Sequence, residues 1–200
     1  MVPTMPTLRL YWRKRRYSDL ALFGIGFWLA SIYHICQLHP EGLPAASVLG
    51  LPGPVWRTLD ILGAQCLLAR TFGHAIGATT QLVSGVSNLF FPAALMAIGH
   101  GMGGLSLAVC SKVLLVIMLA TLCAKLTVEG AHTLPKYCRK RVTKVLVCYL
   151  LGFSFFVLPE IFVGSYWLFH SLWHLMIAIA YYELYQQLEQ QEAAAEAKAA

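Results

Sequence analysis

Long apolar blocks occupy most of this 200-residue chain and constrain its fold more strongly than any other feature. A helix that crosses a bilayer needs about 20 mostly apolar residues. Only 12% of the residues are charged, against about 25% in soluble domains, so little polar sequence remains for a separate soluble domain. We therefore predict an all-α fold, a polytopic bundle of six transmembrane helices. The predicted spans are residues 20–38, 55–78, 86–98, 105–126, 145–162 and 166–185.

Basic residues are concentrated in two clusters that flank the predicted spans. The first cluster precedes the first span, and the second lies in the 127–144 connection. Six spans put both termini on one side of the membrane, and because this side carries most of the Lys and Arg, we expect it to be the cytosolic side or its equivalent. Such flanking charge contacts anionic headgroups, so the net charge of +6 does not indicate a nucleic-acid partner. The clusters are Arg9, Arg13, Lys14, Arg15 and Arg16, and Lys136, Arg139, Lys140, Arg141 and Lys144.

The chain divides into a basic N-terminal segment (1–17), a single transmembrane helical domain (18–185) and a polar tail rich in Gln, Glu and Ala (186–200). The tail favours helix, so we expect it to extend the last span or to fray. The six cysteines lack CxxC spacing and lie mostly in apolar blocks, which indicates buried apolar side chains instead of disulfides or a cysteine–metal site. The acid-free segment 1–17 would also suit organelle targeting. We interpret it as the flank of the first span, and expect a multi-pass protein of the secretory or plasma membrane, with an organelle as the alternative.

The candidate functional residues are seven ionisable side chains within the predicted spans, where such a group costs about 2.5–3.5 kcal/mol and therefore usually marks a function or a pairing. They are His34, Asp60, Arg70, His74, Lys112, His170 and His174. The predicted span directions place four of these, from three different spans, near the outer ends. His74 lies in the inner half and is excluded from that group. Arg70 either snorkels or hydrogen-bonds between helices, and Lys112 either snorkels or pairs with Asp60 or Glu160.

The four outer groups are His34, Asp60, His170 and His174, and together they predict a metal site. His170 and His174 are spaced i, i+4, which puts both imidazoles on one face of a helix where they can bind one ion. We predict His34 as the third ligand and zinc as the metal, because three nitrogens with an open position for water form the usual catalytic zinc site. Asp60 would accept the proton of that water or orient it, and Ser31 would donate to a substrate carbonyl or to the water. Histidines that only pack or hydrogen-bond are the alternative interpretation.

Four short strings carry a resemblance to a known family. They are Arg15-Arg16-Tyr17, Ile32-Tyr33-His34-Ile35-Cys36, Thr58-Leu59-Asp60-Ile61 and His170-Ser171-Leu172-Trp173-His174. Together they resemble the CREST superfamily of membrane hydrolases, and most of all its branch with myomaker and the post-GPI-attachment lipase. The resemblance covers about residues 13–185. It implies zinc bound by His34, His170 and His174, with Asp60 near the metal-bound water, and hydrolysis of a lipid amide or ester bond.

Two departures from the family pattern shape the functional hypotheses. Family members usually have seven spans, and the one before the basic cluster is missing here. The family serine lies four residues before the histidine, where this chain has Ala30, with Ser31 one residue later.

The leading hypothesis is an integral-membrane zinc-dependent lipid hydrolase whose partners are membrane lipids. The alternative is a non-catalytic relative, either an accessory or structural subunit of a membrane protein complex or a membrane-remodelling protein, and a lipid receptor is the third hypothesis.

Overall fold

The computed structural model describes residues 4–78, 90–161 and 165–199, and it is all-helical apart from one short hairpin. The predicted all-α fold is therefore confirmed. The hairpin pairs β1 (Ser47–Val48) with β2 (Leu51–Pro52) in antiparallel register. The helices of the described residues are α1 (Met5–Arg13), α2 (Tyr17–Gln37), α3 (Gly53–Ala75), α4 (Phe91–Gly101), α5 (Leu107–Val128), α6 (Arg139–Ile161) and α7 (Tyr166–Ala199).

Each predicted apolar block has a helix at its position, but several boundaries differ. Residues 86–89 of the third block and residue 162 of the fifth lie outside the described residues. α4 continues through Gly101, three residues beyond the predicted end of the third block. α6 begins at Arg139, so the basic end of the 127–144 connection is helical. α1 lies within the basic segment 1–17, where no helix was predicted.

Among the described residues, α2 is the one helix that is long and apolar enough to cross a membrane by length and composition. Its 21 residues include a window with a mean hydropathy of 1.4. At about 1.5 Å per residue, a helix of this length matches a hydrocarbon core of about 30 Å. The sixfold crossing predicted from the sequence goes beyond this finding and stays a prediction.

Residues 1–17 and 135–200 form one compact unit, built on the antiparallel pair α6 and α7. Ring contacts run along this pair, with Tyr149 against Tyr181 and Phe155 against Phe169, each at 6.3 Å between ring centroids. α1 packs on α7 through Tyr11, whose ring meets that of Tyr185 edge-on at 4.9 Å. The antiparallel register places His170 and His174 in the first half of α7, away from the end that contacts α1.

Residues 18–134 form a second compact unit, in which α2 and α3 cross at glycines. A Cβ atom added to Gly63 would lie 3.7 Å from the Cα of Gly26, and one added to Gly26 would lie 2.7 Å from Leu67 Cδ1. Small residues at a crossing let two helix backbones approach closely. The two helices run antiparallel, so the start of α2 lies beside the end of α3, where Asp19 bonds Arg70 and His74.

The loop between α2 and α3 packs on the end of α2 that carries His34. Trp56 donates its indole N–H to Val48 O at 2.9 Å, and it shares an apolar core with Ile32 and Cys36. Gly53 is required at the start of α3, because a Cβ atom there would lie 2.2 Å from a backbone carbonyl oxygen in the same loop. The end of α2 is therefore packed against this loop.

Candidate metal site

His170 and His174 face each other across one turn of α7. Their Nε2 atoms are 3.1 Å apart, and their rings meet nearly at right angles with centroids 4.7 Å apart. Trp173 lies beside both imidazoles, at 5.2 Å from the His170 ring and 4.4 Å from the His174 ring. The i, i+4 spacing read from the sequence therefore produces a convergent pair of nitrogens, as predicted.

His34 is oriented by its own helix. Its Nδ1 is 2.8 Å from Gln37 Oε1, and Gln37 in turn donates its amide N–H to the Tyr33 hydroxyl at 2.7 Å. Since Oε1 can only accept, the proton of a neutral His34 resides on Nδ1, and the lone pair is on Nε2. Metal-bound histidines use the same arrangement, with the second ring nitrogen donating to an oxygen that fixes the tautomer.

The three predicted ligands are half-buried, His34 in the unit of residues 18–134, and His170 and His174 in the unit that contains residues 135–200. Two nitrogens bonded to a tetrahedral zinc ion at about 2.0–2.1 Å lie about 3.3–3.4 Å apart. The 3.1 Å separation of the α7 pair is close to that value. A hydrogen bond between two neutral imidazoles would also fit this single distance. The donor set and the orientation of His34 together fit a metal better.

Asp60 lies on α3, in the unit of residues 18–134, and its predicted role beside the metal-bound water stays a prediction. Its side chain is half-buried on α3, and among the residues that the structure describes no hydrogen bond or ion pair engages it. Lys112 is exposed and forms no ion pair with Asp60, so that predicted pairing is absent from the described residues. Asp60 therefore has carboxylate oxygens available to a substrate or to water.

Ser31 uses its hydroxyl on its own helix. It donates to the carbonyl oxygen of Phe27, one turn earlier, at 2.8 Å. A hydroxyl has a single proton, so in this conformation Ser31 accepts hydrogen bonds but does not donate one to a substrate carbonyl. Its predicted donor role therefore requires that the bond to Phe27 breaks.

A second buried cluster joins α2 to α3 and was missed by the sequence analysis. Asp19 is 2% exposed, and one of its oxygens, Oδ1, is 2.9 Å from Arg70 Nε and 3.1 Å from His74 Nε2. Of the two alternatives for Arg70, the hydrogen bond between helices is the one that the structure contains. Asp19 was overlooked because it lies one residue before the predicted start of the first span, where acids are common and unremarkable.

Gln37 gives a prediction that distinguishes a metal site from packed histidines. We expect Gln37→Leu to weaken zinc binding by about 10–100-fold, because Nδ1 of His34 loses its acceptor. Gln37→Glu keeps an acceptor at the same distance and is expected to bind zinc about as tightly as the unmodified chain. Competition with a coloured chelator measures both affinities, and a Leu variant with unchanged affinity would show that Gln37 does not orient a ligand.

Comparison with known proteins leaves the chemistry open. The model of one family, described as a protein of unknown function (DUF3522), matches residues 1–175. No curated protein and no solved structure matches this chain.

Proposed function

The chain belongs to the DUF3522 family, whose description gives no function, and we propose from the chemistry of its site that it is an integral-membrane, zinc-dependent hydrolase of a lipid amide or ester bond. The observation that carries the proposal is the convergent pair of His170 and His174, whose Nε2 atoms are 3.1 Å apart, and His34 is the proposed third ligand. Nitrogen ligands in this number leave an open coordination position, the feature that separates catalytic zinc sites from closed structural ones. The resemblance to the CREST superfamily of membrane hydrolases points to the same ligands and the same reaction.

A multi-pass membrane location is supported by apolar side chains on the surface. Water-soluble proteins rarely expose large contiguous apolar patches. In this chain, large apolar side chains are exposed in rows on α2, α5 and α6, which are 21, 22 and 23 residues long. Six spans with both termini on the cytosolic side are part of the proposal. The exposed residues are Ile25, Trp28, Ile35, Leu115, Val116, Leu119, Leu146, Val147, Leu150, Leu151 and Phe153.

The residues of the proposed site have distinct roles. His34, His170 and His174 would hold the ion, and Gln37 keeps the His34 proton on Nδ1. Zinc, when bound, polarises a carbonyl and makes water acidic enough to act near neutral pH. Asp60 is the general base and acid, taking a proton from water and returning it to the leaving group of the lipid. This role suits a carboxylate that is half-buried and without a protein partner in the described residues.

The Asp60→Asn variant tests catalysis separately from metal binding. We expect its lipid hydrolysis to fall by about 10²–10⁴-fold, the usual contribution of a positioned acid or base, while its zinc content stays unchanged. The measurement is release of fatty acid or of the lipid headgroup from mixed-lipid vesicles that contain the purified chain. Glu41→Gln, which alters an exposed loop carboxylate, is the matched control. Equal turnover in the Asp60 variant and the control would remove Asp60 from the mechanism.

A non-catalytic relative is the second candidate, and two observations favour it. The Ser31 proton is bonded to Phe27, and Ala30 occupies the position of the family serine. In such a protein, zinc at the three histidines would hold the helices together, and the chain would act as a subunit of a membrane complex or in membrane remodelling. Zinc-loaded protein that hydrolyses no lipid in the vesicle assay and purifies in a stoichiometric complex would support this candidate over the enzyme.

A further inference from the structure

α1 turns a face that combines aromatic and basic side chains away from the protein. Met5, Arg9, Trp12 and Arg13 are all exposed, and their spacing puts them on one side of the helix. Tyr11, on the other side, is fully buried. Because its ring contact with α7 fixes the buried side of α1, the outward face is fixed as well.

The end of α1 is also held in a single geometry. Arg15 has a φ of +54°, and the N–H of Arg16 bonds Tyr11 O at 3.0 Å while the N–H of Arg15 bonds Trp12 O at 3.1 Å. These bonds close the helix with a Schellman motif, a position at which glycine is the usual residue. An arginine in this left-handed conformation costs about 1–2 kcal/mol. An arginine at this position, where glycine would avoid the strain, suggests that the positive charge of Arg15 serves a function.

The first turn of α6 adds further cations at the same end of this unit. Arg139 and Lys140 are exposed there, although positive charge opposes the dipole at a helix N-terminus. Arg141 in the same turn and Lys144 in the next form ion pairs with Glu183 of α7. Glu183 lies two residues before Tyr185, the contact of α1, so both basic segments meet α7 at the same turn.

The residues that follow along α6 identify the surface that these cations meet. After Lys144 the exposed side chains change from charged to large and apolar, at Leu146, Val147, Leu150 and beyond. Cations followed by exposed apolar groups reproduce the order of a lipid leaflet, from headgroup to hydrocarbon. An acidic protein or a nucleic acid would match the cations but would leave the apolar row uncovered.

We propose that α1 lies in the headgroup layer of the membrane and forms, with the first turn of α6, a binding surface for anionic phospholipids. The arginines donate to lipid phosphates, in the bidentate geometry that guanidinium favours. Trp12 sits at the boundary of headgroups and hydrocarbon, the position that tryptophan prefers. No acid occurs in residues 1–17 or 135–144 to compete with the phosphates. The inference rests on the proposed membrane location and is independent of the metal chemistry.

Tryptophan quenching tests this surface in the full chain. The protein is reconstituted in vesicles of phosphatidylcholine with a minor share of phosphatidylserine, one or the other lipid being brominated so that it quenches nearby tryptophan. The fluorescence of Trp12 is obtained as the difference between the fluorescence of each protein and that of the same protein with Trp12→Phe.

We expect brominated phosphatidylserine to quench the fluorescence of Trp12 far beyond its share of the lipid. Arg9→Gln with Arg13→Gln is expected to reduce this preference by about 25-fold at low salt, since each cation near an anionic surface contributes about fivefold. The matched control is Arg57→Gln with Lys112→Gln, two exposed cations elsewhere in the chain.

The outcomes separate the surface from the membrane location. A strong preference in the wild type and in the control, lost in the Arg9 and Arg13 variant, supports the surface. Equal quenching by both lipids, in protein that resists alkaline extraction from the vesicles, overturns the surface and leaves the membrane location intact. Protein that alkali extracts overturns the membrane location and the surface with it. A wild type that binds an acidic peptide and shows no lipid preference also overturns the proposal, in favour of a protein partner.

Discussion

Detergent-purified chain is expected to contain about one zinc ion per molecule, and His174→Ala is expected to contain almost none. The reason is geometric, because Nε2 of His174 is 3.1 Å from Nε2 of His170, its partner on α7, and the proposed site has only one further ligand, His34. Removing it leaves two nitrogen ligands, fewer than any usual structural or catalytic zinc site holds. Elemental mass spectrometry of protein purified without chelators measures the zinc content.

Matched histidine variants make the zinc measurement specific. His100→Ala and His132→Ala alter exposed histidines that are not among the proposed ligands, and both are expected to keep the full zinc content. His34→Ala and His170→Ala should behave like His174→Ala. Wild-type protein without zinc, or zinc that persists in His174→Ala with the fold intact, would show that the three histidines only pack together. The proposed hydrolase would then lose its basis.

Asp19→Ala is expected to have the largest effect on stability of any single change outside the metal site, about 3–5 kcal/mol. The carboxylate is almost completely buried and accepts from both Arg70 and His74. Its removal leaves a guanidinium in a poorly solvated position without its partner, and breaking a buried pair from one side costs this much. The measurement is the free energy of unfolding in detergent micelles, followed by helical circular dichroism during denaturant titration.

A double variant separates the ion pair from simple loss of packing. Asp19→Leu with Arg70→Met replaces both charges by apolar groups of similar size, and it is expected to recover most of the lost stability, since such replacements are often neutral or better. Glu41→Ala, in an exposed loop, is expected to have no measurable effect. If Asp19→Ala had the same free energy of unfolding as Glu41→Ala, the buried bonds of Asp19 would contribute little to stability. Failure of the double variant to recover would mean that His74 also depends on the carboxylate.

The sequence predicted those parts of this protein that local spacing controls. A helical turn brings residues four apart together, so His170 and His174 could be paired without any structure. His34 required the additional assumption of alternating span directions, which placed it at the same depth. The same assumption grouped Asp60 with the histidines, and this grouping stays a prediction because equal depth does not fix position around a helix axis.

What the sequence did not predict depends on contacts between distant residues or on hydrogen bonds that compete locally. Asp19 is separated from Arg70 and His74 by 51 and 55 residues, and no local pattern indicates which helix ends meet. Gln37 was detectable in principle, because a side chain that accepts hydrogen bonds three residues after a ligand histidine can reach its second nitrogen. The bond from Ser31 to Phe27 competes with any substrate, and serine inside a helix commonly makes it.

The glycine crossing of α2 and α3 restricts how a lipid could reach Asp60. At Gly26 and Gly63 the two backbones are in contact, and not even a methyl group fits at Gly26 without displacing Leu67. An acyl chain therefore has no slot between these helices at that depth, and parting them would also break the bonds of Asp19 to Arg70 and His74. α2 and α3 therefore pack without a gap at this crossing, and the bonds of Asp19 hold them together at one end. In the proposed hydrolase, a substrate would therefore reach Asp60 from another side of α3.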